Sequence, residues 1–101
     1  MTTRAIQQQG VPYTRHAQRR MAQRALSRSV VEQAMIYGRE VIGNDTVLYV
    51  VGRNEVLEWR REGFRLEHLE GVHVICSRCG VVITAYRDRG LAGFRALRHA
   101  A

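Results

Sequence analysis

The hydrophobic period of this chain changes once, near Gly38, and that change limits the folds open to it. Before it, apolar residues recur at helical spacing: Ala17, Met21 and Ala25 every four residues, then Val30, Val31, Ala34 and Met35 on a second amphipathic segment. After it, β-branched and aromatic residues run together in Glu40-Val41-Ile42 and in TVLYVV, residues 46–51. With 101 residues there is material for one core, so the helical half has to bury its stripe against the strand half.

Local signals divide the halves further. Residues 14–26 read as a helix with Thr14 as N-cap. A break at Leu26-Ser27 precedes a second helix through about Tyr37. Ser29 and Glu32 have capping-box spacing, Ser27 is the alternative cap, and Gly38 serves as a C′ stop. Gly43-Asn44-Asp45 is a turn. Asn54 caps a third helix, 55–62, that stops at Gly63 and carries a Glu58–Arg61 pair at i,i+3. A connection pinned by Leu66 and Leu69 leads to two strands, 72–77 and 81–87, joined by Arg78-Cys79-Gly80. Leu91, Phe94 and Leu97 predict a further helix in the tail. The expected order is ααββαββ: an α+β domain in which a helical hairpin packs on a mainly antiparallel four-stranded sheet. Residues 1–12 form a flexible segment and 13–101 the domain. The expected core is Ala17, Met21, Val31, Ala34, Met35, Leu48, Val50, Val74, Ile75 and Ile83.

Sixteen basic residues face nine acidic ones, a formal charge of +7, and every basic residue is Arg. Each positive group is therefore a planar fork suited to phosphate or carboxylate, and an anionic partner is expected. No apolar run approaches the ~20 residues of a membrane span. The polar, Gln-rich start lacks a secretory signal core, and two Cys make no disulfide framework. A cytoplasmic bacterial protein, without membrane contact, is the expectation.

His16, Arg20 and Arg24 fall at i, i+4 and i+8, in one row beside the first helix's apolar stripe. Such a row is either a solvated face whose Arg stems cover the core edge and pair with Glu32, Glu40 or Glu70, or an oxyanion site. In the second reading two guanidiniums grip a phosphate and His16 moves a proton. Tyr86, Arg87 and Arg89 cluster where the last strand ends, as a half-buried Tyr with solvated Arg or as the second wall of that site. Cys76-Ser77-Arg78-Cys79-Gly80 has the outline of a zinc knuckle, with His68 and His73 as the near additional ligands. Strand alternation places His73 and Cys76 on opposite faces, so incidental thiols are preferred and neither metal nor cofactor is expected. Trp59 reads as a core or interface anchor.

His16-Ala17-x-x-Arg20-Met21-x-x-Arg24, followed by a short loop, a Ser and a second helix, resembles the opening motif of an uncharacterised family of small bacterial domains, a domain of unknown function. Gly80-Val81-Val82-Ile83-Thr84-Ala85-Tyr86-Arg87 resembles its closing strand, and together the motifs span about residues 13–89. Two helices followed by an antiparallel sheet are similar to RelE-like and barnase-like toxin domains. By that likeness the expected function is binding, and metal-independent cleavage, of RNA. His16, Tyr86 and Arg87 would act on the reacting groups, and Arg20, Arg24 and Arg89 would hold nucleic acid. The alternative is a non-catalytic module that binds nucleic acid or an acidic, antitoxin-like protein.

Overall fold

A computed structural model describes residues 10–88. Helices α1 (Arg15–Gln23) and α2 (Arg28–Tyr37) precede strands β1 (Arg39–Ile42) and β2 (Thr46–Val50). Helix α3 (Arg53–Arg61), a 3-10 turn (Glu67–Leu69) and strands β3 (Val72–Ser77) and β4 (Val82–Arg87) follow. The expected α+β order holds across these residues; the tail helix expected near Leu91 lies outside them. All neighbouring strands are antiparallel, in the order β1-β2-β3-β4.

Helix α1 begins as its cap predicts: the Ala17 N–H donates to Thr14 Oγ1 at 3.0 Å. It ends earlier than residue 26. The Ala25 N–H donates to Ala22 O at 3.3 Å and the Leu26 N–H to Met21 O at 2.9 Å, a Schellman closure with Ala25 at φ 55° in the glycine position. A side chain in that left-handed region costs roughly 1–2 kcal/mol. Leu26 and Met21, buried in the same cluster, offset the cost. For α2 the cap is Ser27, whose Oγ accepts the Val30 N–H at 3.1 Å.

Gly38 is required for a reason other than the expected C′ stop. Its φ is −73°, open to any residue, but a Cβ there would stand 2.4 Å from Ala34 O and 3.0 Å from Val50 O. The chain turns from helix to sheet where α2 almost touches β2, and no side chain fits between them. Helix α3 starts at Arg53 rather than 55, because Glu55 Oε1 accepts the Gly52 N–H at 2.7 Å; Asn54 is not the cap. The expected Glu58–Arg61 pair is replaced by Arg60–Glu67 at 2.5 Å, which holds the Glu67 carboxyl below its usual range.

The core lies between the helices and one face of the sheet. Ala17, Met21, Val31, Ala34 and Met35 meet Tyr49, Val51, Val72, Val74, Cys76, Val82 and Ala85 there. Three residues expected in this core, Leu48, Ile75 and Ile83, are only half-buried. Leu48 and Ile75 lie on the opposite sheet face with Val50, which is buried there. Ile83 is the extra residue of a bulge: Ile75 pairs with Thr84 but Cys76 with Val82. Both sheet faces are rich in Val and Ile, so alternation alone did not say which one meets the helices. Val11 is buried and Pro12 O accepts the Val82 N–H at 2.9 Å, which ties down the last residues of the segment expected to be flexible.

Candidate nucleic-acid interface

Helix α1 is laid along the outer edge of β4 by bonds at both of its ends. At the start, the Thr14 N–H donates to Val82 O at 3.0 Å and Thr14 Oγ1–H to Ile83 O at 3.3 Å. At the other end, Arg24 Nη1 donates to Ala85 O at 2.9 Å. Burial of Ala17 and Met21 fixes the rotation of the helix between these ties and turns His16, Arg20 and Arg24 outward in one row, all exposed. At 1.5 Å per residue the row is ~12 Å long.

No carboxylate among the described residues neutralises it. Among the described residues Arg20 bonds to Gln23 Oε1, at 3.5 Å, and His16 to none. Glu32, one of the expected partners, instead accepts the Tyr13 hydroxyl at 2.6 Å. Burial and that bond push the Tyr13 phenol well above its ordinary range, and Arg28 stacks over the ring at 4.8 Å. Arg24 has a double character: its guanidinium is exposed, yet one N–H serves a β4 carbonyl.

Arg24 is also the link to Tyr86. Burial and the Asp88 charge raise the Tyr86 phenol, and Arg24 lowers it in part; the net shift is upward. Tyr86 is thus a proton donor at neutral pH and not a base. Its ring stacks on His73, with centroids 4.7 Å apart and planes 11° from parallel. His73 Nδ1 lies 2.8 Å from Gly71 O; a carbonyl only accepts, so Nδ1 carries a proton. Nε2 is buried with no hydrogen-bond partner among the described residues. Sequence reasoning weighed His73 only as a metal ligand. Its partnership with Tyr86 follows from the β3–β4 register, in which the two residues are directly opposite.

Arg87 stands apart from this group. Neighbours on a strand face opposite ways, and its guanidinium donates to His68 O at 3.1 Å, so Tyr86 and Arg87 do not converge. Arg89 lies outside the described residues. Trp59 anchors α3: its Nε1–H donates to Tyr37 O at 2.9 Å, and its ring meets Tyr37 and Phe64 edge-on or tilted.

Both cysteines are free, Cys76 buried and Cys79 exposed with its Sγ 3.2 Å from Ser77 Oγ. Burial pushes the Cys76 thiol up to about 11. No group of three or more His, Cys, Asp or Glu among the described residues is placed to hold a metal ion. At pH 8 a chromogenic disulfide reagent should therefore titrate one thiol quickly in the folded protein and the second only after denaturant is added. Equal, rapid reaction of both would contradict the burial of Cys76.

The geometry defines a class: a small α+β domain with an antiparallel meander, one edge of which is covered by an arginine-bearing helix. The chain belongs to the family described as Domain of unknown function (DUF4258), whose model matches residues 13–87. No curated protein and no solved structure matches it. No helix among the described residues is long and apolar enough to cross a membrane.

Proposed function

We propose that the chain binds RNA along the exposed row of α1, with Arg20 and Arg24 on the phosphates. The observation that carries this reading is the row itself: three basic side chains in line, exposed, with no carboxylate among the described residues within ion-pair reach. Aligned like charges repel, and a phosphate chain relieves that repulsion through charge-assisted hydrogen bonds. The surplus of Arg over acidic residues acts in the same direction.

Titrating a labelled single-stranded RNA at several salt concentrations tests the reading. Log K should fall linearly with log salt, with a slope of about −1.4 if Arg20 and Arg24 each neutralise one phosphate at ~0.7. No binding at low salt would reduce the basic charge to a solubility device.

RNA cleavage is the second reading, favoured by His16. It is the imidazole in the row, exposed and uncommitted among the described residues, while the raised Tyr86 phenol retains its proton near Arg24. Attack by a ribose 2′-hydroxyl needs a base, an acid and positive charge at one phosphate. His16 has Arg20 one turn away, while Tyr86 lies by Arg24 at the other end of the row, so this reading rests on His16 and Arg20. RNA that is shifted on a gel but stays intact would leave the chain a binding module.

A further inference from the structure

One face of the sheet is covered more deeply than the described helices account for. Each of these helices turns its buried side chains to the inner face. Ala17 and Met21 of α1, Val31, Ala34 and Met35 of α2, Val56 of α3 and Leu69 of the 3-10 turn all join the core cluster. Among the described residues, Val50 is the one buried apolar side chain that stays outside it. Val50 lies on the outer face, directly opposite His73, and each is only 2% exposed. Side chains on a sheet stand beside one another, not on top of one another. In-sheet neighbours therefore leave the tip of a valine open to water, and 2% exposure requires a layer above it. His73 Nε2, buried without a partner among the described residues, lies under the same layer, which can supply one.

The depth of burial locates this layer. Leu48, Ile75 and Thr84, nearer the two hairpin turns, are half-buried, whereas Val50 and His73 are closed off. The layer thus crosses the strands along the row Tyr86–His73–Val50–Arg39, at the end of the sheet where the chain leaves β4. Arg39 is exposed, so the layer thins out at β1.

We propose that residues 91–100 of this same chain form the layer, laid from β4 toward β1 with Leu91, Phe94 and Leu97 on Val50, His73 and Ile75. Position and length choose the occupant. The sequence continues past Asp88, two residues beyond Tyr86, at the start of the row. Leu91, Phe94 and Leu97 recur at helical spacing. As a helix, residues 91–100 measure ~15 Å, against ~14 Å for the strand spacings between β4 and β1. Residues 1–9 are a poorer match. The chain reaches β4 from that side at Val82, by the hairpin end, and Met1 and Ile6 are the large apolar residues it brings. The proposal does not depend on RNA binding.

Two measurements on the full chain test it. Nuclear Overhauser contacts should join the Phe94 ring to the Val50 methyls. Diethyl pyrocarbonate, which acylates accessible imidazoles, should modify His73 at least about tenfold more slowly than the exposed His68. Phe94→Ser combined with Leu97→Ser should remove most of that difference, while Cys76 on the inner face stays closed to a disulfide reagent. Ile6→Ser should change nothing. If the double variant also opens Cys76 it has unfolded, and the Phe94–Val50 contact in the unsubstituted chain decides. Absence of that contact, His73 as reactive as His68 in the unsubstituted chain, or protection that survives the double substitution overturns the proposal. So does protection that grows with protein concentration, which assigns the layer to a second copy, or protection lost in Ile6→Ser, which assigns it to residues 1–9.

Discussion

Replacing Arg20 with Ala should weaken RNA binding roughly ten- to a hundredfold, the loss of one charge-assisted phosphate contact at ~1.5–3 kcal/mol. Arg15→Ala and Arg19→Ala, on the same helix but outside the row, should have far smaller effects. All three variants remove one exposed guanidinium, so bulk electrostatics cannot separate them. Arg20→Ala should leave the melting temperature nearly unchanged, because its side-chain hydrogen bond among the described residues is a long, exposed one to Gln23 at 3.5 Å. Arg24→Ala should lower both affinity and melting temperature, because that side chain also serves Ala85 O. His16→Ala should abolish cutting, where RNA is cut, and leave most of the binding. Equal affinities across Arg15, Arg19 and Arg20 variants would end the claim for the row.

Leu69→Ala should cost about 2–5 kcal/mol, the range for truncating a fully buried leucine. Leu69 is 0% exposed and sits in the 3-10 turn that carries the chain from α3 into β3, in contact with the main core. Phe64→Ala, five residues earlier, should cost much less, since Phe64 is 44% exposed despite its contacts with Tyr37 and Trp59. Chemical denaturation of the two variants checks this, and a larger loss at Phe64 would place the centre of the core in the aromatic cluster instead.

Much of the fold was legible because its signals are local. Thr14, the Leu26-Ser27 break and the turn at Asn44-Asp45 each act within a few residues, and they place the helices and the first hairpin. What sequence did not reveal depends on pairing over distance. Val50 and Val51 are adjacent and both buried, one on each sheet face, so the pattern there has no phase to read. The bulge at Ile83 exists only relative to β3. The end of α1 at a left-handed Ala25 has no glycine to announce it. For the site, the row on α1 is a matter of helical spacing and was visible in full. The separation of Tyr86 from Arg87, and the stacking of Tyr86 on His73, appear only once β4 has a register and a neighbour.

The clasp of residues 12–14 on Val82, together with the bond from the Asp88 N–H to Gly71 O at 2.7 Å, has a practical corollary. The described chain enters and leaves the domain at the same strand, β4, three strand spacings or ~14 Å from β1. A tag or fused domain joined at Gly10 or after Asp88 would therefore be tethered on the α1–β4 side, while the Asn44-Asp45 turn tolerates a cut or a graft with less disturbance. Gly10 and Asp88, the first and last described residues, thus flank one side of the sheet, and β1 forms its other rim.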